Sequence, residues 1–144
     1  MLGDIYASSL DGHRPDYALS AKWYQKAAAQ GLATSQTQLA WLYETGNGVL
    51  QDYAEAMKWY RTAAEQGEYG GQAGLARMYG SGDIGPPDLV QVYKWANLAV
   101  LHVPINLKNT REGLIKFRDQ VIAKMSPAQI AEAQKLAHDW KPTK

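Results

Sequence analysis

Apolar residues recur along this chain at three- and four-residue intervals. Ala56, Met57, Tyr60, Ala63 and Ala64 fall on one side of a helix that Asp52 is placed to cap and Gly67 to stop. The preceding stretch, Leu32 to about Glu44, carries Leu39, Leu42 and Tyr43 on one side of another helix. Between them lies the glycine-rich turn Thr45–Gln51. Farther on, Leu114, Phe117, Val121, Ile122 and Met125 form a stripe on a helix expected to start at Asn109 or Thr110. Ser126-Pro127-Ala128-Gln129 is a capping box with proline at the first helical position. It opens a last helix carrying Ile130, Ala133, Leu136 and Ala137, with Trp140 beside it and Pro142 beyond. The pattern predicts an all-helical chain of about seven to eight helices.

The pattern repeats. Trp23, Trp59 and Trp95 stand 36 residues apart, each preceded by a similar phrase: Asp16-Tyr17-Ala18, Asp52-Tyr53-Ala54 and Asp88-Leu89-Val90. Upstream of each sits a second phrase ending in tyrosine, at Tyr6, Tyr43 and Tyr79, and Gly31 and Gly67 close the first two units. A helix pair of this size cannot bury both its faces alone, so successive pairs must stack. Ala27-Ala28, Ala63-Ala64, Ala40 and Ala76 suit close helix approach, and the six repeated tryptophans and tyrosines are expected in the seams.

At these residues the chain resembles the Sel-one-like repeat family, a helix-pair solenoid related to the tetratricopeptide repeat. The fullest match runs through Leu39-Ala40, Tyr43, Gly46-Asn47-Gly48-Val49, Asp52, Ala56, Trp59-Tyr60, Ala63-Ala64 and Gly67. Met125 to Gln134 is similar to the closing segment of many bacterial members. The resemblance implies an α-α superhelix with helix-pair repeats over 1–102, in units 1–30, 31–66 and 67–102, and C-terminal capping helices over 103–144, all one continuous solenoid. The first unit has little room for its first helix. Val103-Pro104 replaces the closing glycine of the third unit, so regular stacking is expected to stop there.

Composition narrows the chemistry. A net charge of +1 offers no global field for nucleic acid, and the absence of cysteine removes disulfides and thiolate sites. No run of about 18 apolar residues is present, so no membrane insertion is expected. The first residues lack a signal peptide's pattern. The compartment stays open between bacterial cytoplasm and periplasm.

Several strings invite a catalytic reading and do not sustain it. Gly80-Ser81-Gly82-Asp83-Ile84-Gly85 matches the dinucleotide-binding pattern, but that motif needs a strand before it, and the repeat places this string in an interhelical turn. His13, His102 and His138 show no metal-ligand spacing. Ser8, Ser9, Asp11 and His13 crowd one turn too closely to act as an oriented triad. Glu65 and Glu68 read as a solvated face. No cofactor of any kind is expected.

What remains is the surface that stacking creates. The first helix of each pair is expected on the concave side, and the positions that vary between units are free for recognition. Asp4, Trp41 and Arg77 share one such position; Thr37 with Ala73, Gln38 with Gly74, and Thr34 with Gly70 are further pairs. The candidate groove is therefore Asp4, Thr34, Thr37, Gln38, Trp41, Glu44, Ala73, Gly74 and Arg77. Trp41 is either an apolar anchor for a partner or the filler of a local gap. The expected function is a non-catalytic scaffold binding a protein or peptide. A structural segment of a longer solenoid and a cell-wall-directed hydrolase are the alternatives, the hydrolase lacking any visible converging acid and base.

Overall fold

The computed structural model describes Gly3 and residues 15–143. Among the described residues it contains seven helices and no strand: α1 (Tyr17–Ala29), α2 (Ala33–Thr45), α3 (Tyr53–Glu65), α4 (Tyr69–Ser81), α5 (Leu89–His102), α6 (Lys108–Ile122) and α7 (Pro127–Asp139). The caps expected at Asp52 and Ser126 are present, and Asp16 and Asp88 repeat the first. Asp16, Asp52 and Asp88 each accept the third backbone N–H of α1, α3 and α5, and Ser126 closes the capping box of α7. Gly31 and Gly67 turn the chain at φ 90°, where a side chain would be strained.

Each helix packs on the next from α1 to α6, and α2 and α4 also touch each other directly. The first helices of successive pairs therefore form a row. A buried glutamine ties each junction. Gln36 Nε2 donates to the Ala28 carbonyl at 3.2 Å, and Gln72 Nε2 to that of Ala64, also at 3.2 Å. The free oxygen of each amide meets the end of the next second helix, through Gln66 Nε2 at 2.8 Å and His102 Nδ1 at 2.9 Å. Pairing these amides is what makes their burial tolerable.

The row does not stop at Val103-Pro104. Arg111 Nη1 donates to the Val100 carbonyl at 3.1 Å, and Val100 stands 36 residues after Ala64. Arg111 thus takes the place of Gln36 and Gln72, displaced by a turn three residues longer, and α6 occupies a first-helix position. A second pair agrees: Arg61 donates to Tyr79 Oη at 2.7 Å, and at the equivalent sites Arg118 donates to Asn97 Oδ1 at 3.0 Å. The helix begins at Lys108, earlier than Asn109 or Thr110, after a turn closed by the Leu107 N–H on the Pro104 carbonyl. Leu107 supplies no side-chain cap.

Helix α7 leaves the row and lies on α5. Its Trp140 meets Trp95 edge-on at 6.4 Å and His102 at 5.2 Å, and the Thr143 N–H donates to the Glu65 carbonyl at 2.7 Å. This covering decides which repeated aromatic is core. Trp95 is buried, whereas Trp23, Trp59, Tyr43 and Tyr79 are half-buried, and Tyr6 lies outside the described residues. The aromatics buried at the inner junctions are instead Tyr24 and Tyr60, one residue after the tryptophans. The Gly80–Gly85 string begins in the last turn of α4, at its carbonyl end, the wrong pole for a phosphate.

Candidate functional site

Helices α2 and α4 carry eight of the nine groove candidates; Asp4 lies outside the described residues. Thr34, Gln38, Trp41 and Arg77 are exposed, and Thr37, Glu44 and Ala73 are half-buried. Gly74 is buried against the Tyr60 ring, which puts it out of a partner's reach. Its contribution is to let α4 approach α3 closely.

Trp41 keeps 37% of its surface exposed and leans on Tyr17 of α1, ring centroids 5.8 Å apart. The two rings form an aromatic ledge at the start of the row. Next to it stands a charged cluster built from three helices. Arg77 grips Glu44 with two bonds, Nη2 to Oε2 at 2.5 Å and Nε to Oε1 at 3.2 Å. The Tyr60 hydroxyl donates to Glu44 Oε2 at 2.7 Å and accepts from Arg77 Nη2 at 3.2 Å.

Burial pushes the Tyr60 hydroxyl far above the ordinary tyrosine pKa, and its bond to the Glu44 carboxylate raises it further. Burial works against the charge of Arg77, but the Glu44 and Tyr60 contacts outweigh it and raise its pKa. A two-bond arginine–carboxylate pair of this kind is held in orientation as well as by charge. It pins α2 to α4 across α3.

Sequence reasoning placed Trp41, Glu44 and Arg77 together but not Tyr17, Tyr60 or Glu68. Glu68 is no solvated bystander. It caps α4 through the N–H groups of Gly70 and Gly71 and accepts from Thr37 Oγ1 at 2.5 Å. A glutamate just before a glycine-rich helix start was the available signal. Among the described residues no three His, Asp or Glu side chains gather as a metal ion would require. No helix there is long and apolar enough to cross a membrane.

The Sel1 repeat matches the chain three times, over residues 1–32, 33–68 and 71–101. The structure of a protective antigen present in uropathogenic Escherichia coli strains, displaying an SLR fold, superposes with a TM-score of 0.83 at 29% identity. That similarity covers 96% of this chain but 28% of the antigen chain. A Sel1 repeat protein from Oxalobacter formigenes shares the fold at 24% identity and a TM-score of 0.64, over 96% of this chain and 60% of its own. No curated protein matches. Three matched units and the stacked helix pairs agree: the chain belongs to the Sel1 repeat family, whose solenoids typically mediate protein–protein interaction without catalysing a reaction.

Proposed function

We propose that this chain is a non-catalytic scaffold that holds a partner protein or peptide along the row formed by α2 and α4. The observation that carries this reading is Trp41, a large aromatic left 37% exposed at a position where the equivalent residue in the next unit is Arg77. Packing between units does not demand a tryptophan there. Its tilted contact with Tyr17 holds the ring in place before a partner arrives, which lowers the entropy lost on binding. Tryptophan and arginine are also the residue types that dominate binding hot spots. Thr34 and Gln38, exposed on the same helix, extend the surface with polar contacts.

The test is capture of partners from the source cell by the parent chain and by Trp41→Ala and Gln38→Arg variants. Both should lose captured protein by at least about tenfold while melting within a few degrees of the parent. Arg77→Glu is a poorer probe, because it would set a second carboxylate against Glu44. A Trp41→Ala protein that captures as well as the parent overturns the reading. It would favour the alternative of a structural segment within a longer solenoid, which the 28% share of the antigen chain supports.

A further inference from the structure

The α2–α4 junction is bridged by a carboxylate, and the next junction along the row is not. Repeat equivalence sets Gly80 where α2 carries Glu44, and Ala96 where α3 carries Tyr60. Beside Gly80 a cleft of about 280 Å³ opens between α4 and α6. Its floor is apolar, made by Val92 of α5 and by Phe117 and Val121 of α6. No carboxylate lines it. Its rim holds two cations with unused donors. Arg77 spends Nε and Nη2 on Glu44 and Tyr60, which leaves Nη1 free among the described residues. Lys124 is exposed and pairs with no described acid.

We propose that this cleft binds a peptide segment of the partner in which an aliphatic side chain stands beside an aspartate or glutamate. The inference rests on the scaffold reading and names the chemistry its partner must bring. The aliphatic group covers the floor, and the carboxylate pairs with the Lys124 ammonium and the remaining Nη1 of Arg77. The volume lies just below the range of small-ligand sites, roughly 300–1,000 Å³, which suits one side chain rather than a cofactor. Gln120 on the rim supplies hydrogen bonds for the peptide backbone.

The probe is a hexapeptide, Gly-Ser-Leu-Glu-Ser-Gly, acetylated and amidated so that its only carboxylate is the glutamate. It is titrated into the ¹⁵N-labelled chain and followed by NMR. The amides of Gly80, Ser81 and Lys124 should shift. Replacing leucine by alanine, or glutamate by glutamine, should weaken binding at least about fivefold, and so should raising salt from about 0.05 to 0.5 M. Gly80→Glu, which supplies the missing carboxylate from within, should block the site. Lys124→Gln lies on the surface and cannot threaten the fold; it should weaken the glutamate peptide and leave the glutamine peptide unchanged. Equal binding of the two peptides, shifts elsewhere, or tighter binding of a peptide with a free C-terminus and no acidic side chain each overturns the proposal. If the peptide fails while capture still depends on Trp41, the cleft is lost and the scaffold stands. If Trp41 proves irrelevant to capture, the scaffold along α2 fails whatever the peptide does.

Discussion

Two glycines in helix interiors should respond to the same substitution with opposite sign. A β-carbon at Gly113 of α6 would meet nothing within 4 Å. There Gly→Ala recovers the helix propensity that glycine forfeits, about 0.8–1.0 kcal/mol. At Gly74 of α4 the same carbon would overlap the edge of the Tyr60 ring and lie 2.8 Å from its Cζ. That ring cannot swing aside cheaply, because it is buried and its hydroxyl is held by Glu44 and Arg77. Overpacking of this kind costs about 1–3 kcal/mol. Subtracting the propensity gain leaves Gly74→Ala neutral to about 2 kcal/mol destabilised, while Gly113→Ala is about 1 kcal/mol stabilised. The two variants should therefore differ by about 1–3 kcal/mol, and each kcal/mol moves the melting temperature of a chain this size by about 2–4 °C. Thermal melts followed by circular dichroism read the difference directly. A Gly74→Ala protein melting as high as Gly113→Ala would refute the close contact between α4 and the Tyr60 ring.

The repeated tryptophans should not be equivalent. Trp95→Ala should cost about 3–5 kcal/mol in urea unfolding, and Trp59→Ala and Trp23→Ala clearly less, because only Trp95 is buried, under Trp140. Tyr60 should make stability fall at high pH. Its folded pKa lies above the unfolded value of about 10, so below pH 10 its contribution is complete, and it is lost as pH rises from there toward the folded value. Tyr60→Phe should reduce that loss relative to the parent, and an identical alkaline limb in both would contradict the assignment. Arg111→Gln should be nearly neutral to melting, since glutamine serves the equivalent carbonyl in two other units, whereas Arg111→Ala should cost about 1 kcal/mol by orphaning the Val100 oxygen.

Most of the fold was legible because stacked helix pairs solve a local problem. The caps Asp16, Asp52 and Asp88 and the turning glycines Gly31 and Gly67 act within a few residues of themselves, so their spacing carries the architecture. What escaped was set by partners distant in sequence. Trp59 and Tyr60 are adjacent and equally regular in the repeat, yet only Tyr60 is fully buried, because Gly74 admits its ring. Trp95 is buried by Trp140, beyond the repeats altogether. The continuation of the row into α6 was hidden by an arginine standing in for a glutamine after three inserted residues.

The site was half legible for a related reason. Positions that differ between units read as free of the fold's demands, and that argument picked out Trp41 and Arg77 as candidates. It misjudged Gly74 and Arg77 as independent, because a variable position can still be committed to a neighbour that varies with it. Arg77 has its carboxylate only because α2 carries Glu44, and one unit later Gly80 removes the carboxylate while Ala96 removes the tyrosine. Variation between repeats therefore acts in correlated sets of three helices. Where the set is complete, as at Glu44, Tyr60 and Arg77, it closes a junction and stiffens the row. Where it is depleted, as at Gly80, it borders a cleft with an apolar floor and cationic donors at its rim. A solenoid that stacks the same helix pair throughout can in this way hold an aromatic ledge at one junction and an open cleft at the next.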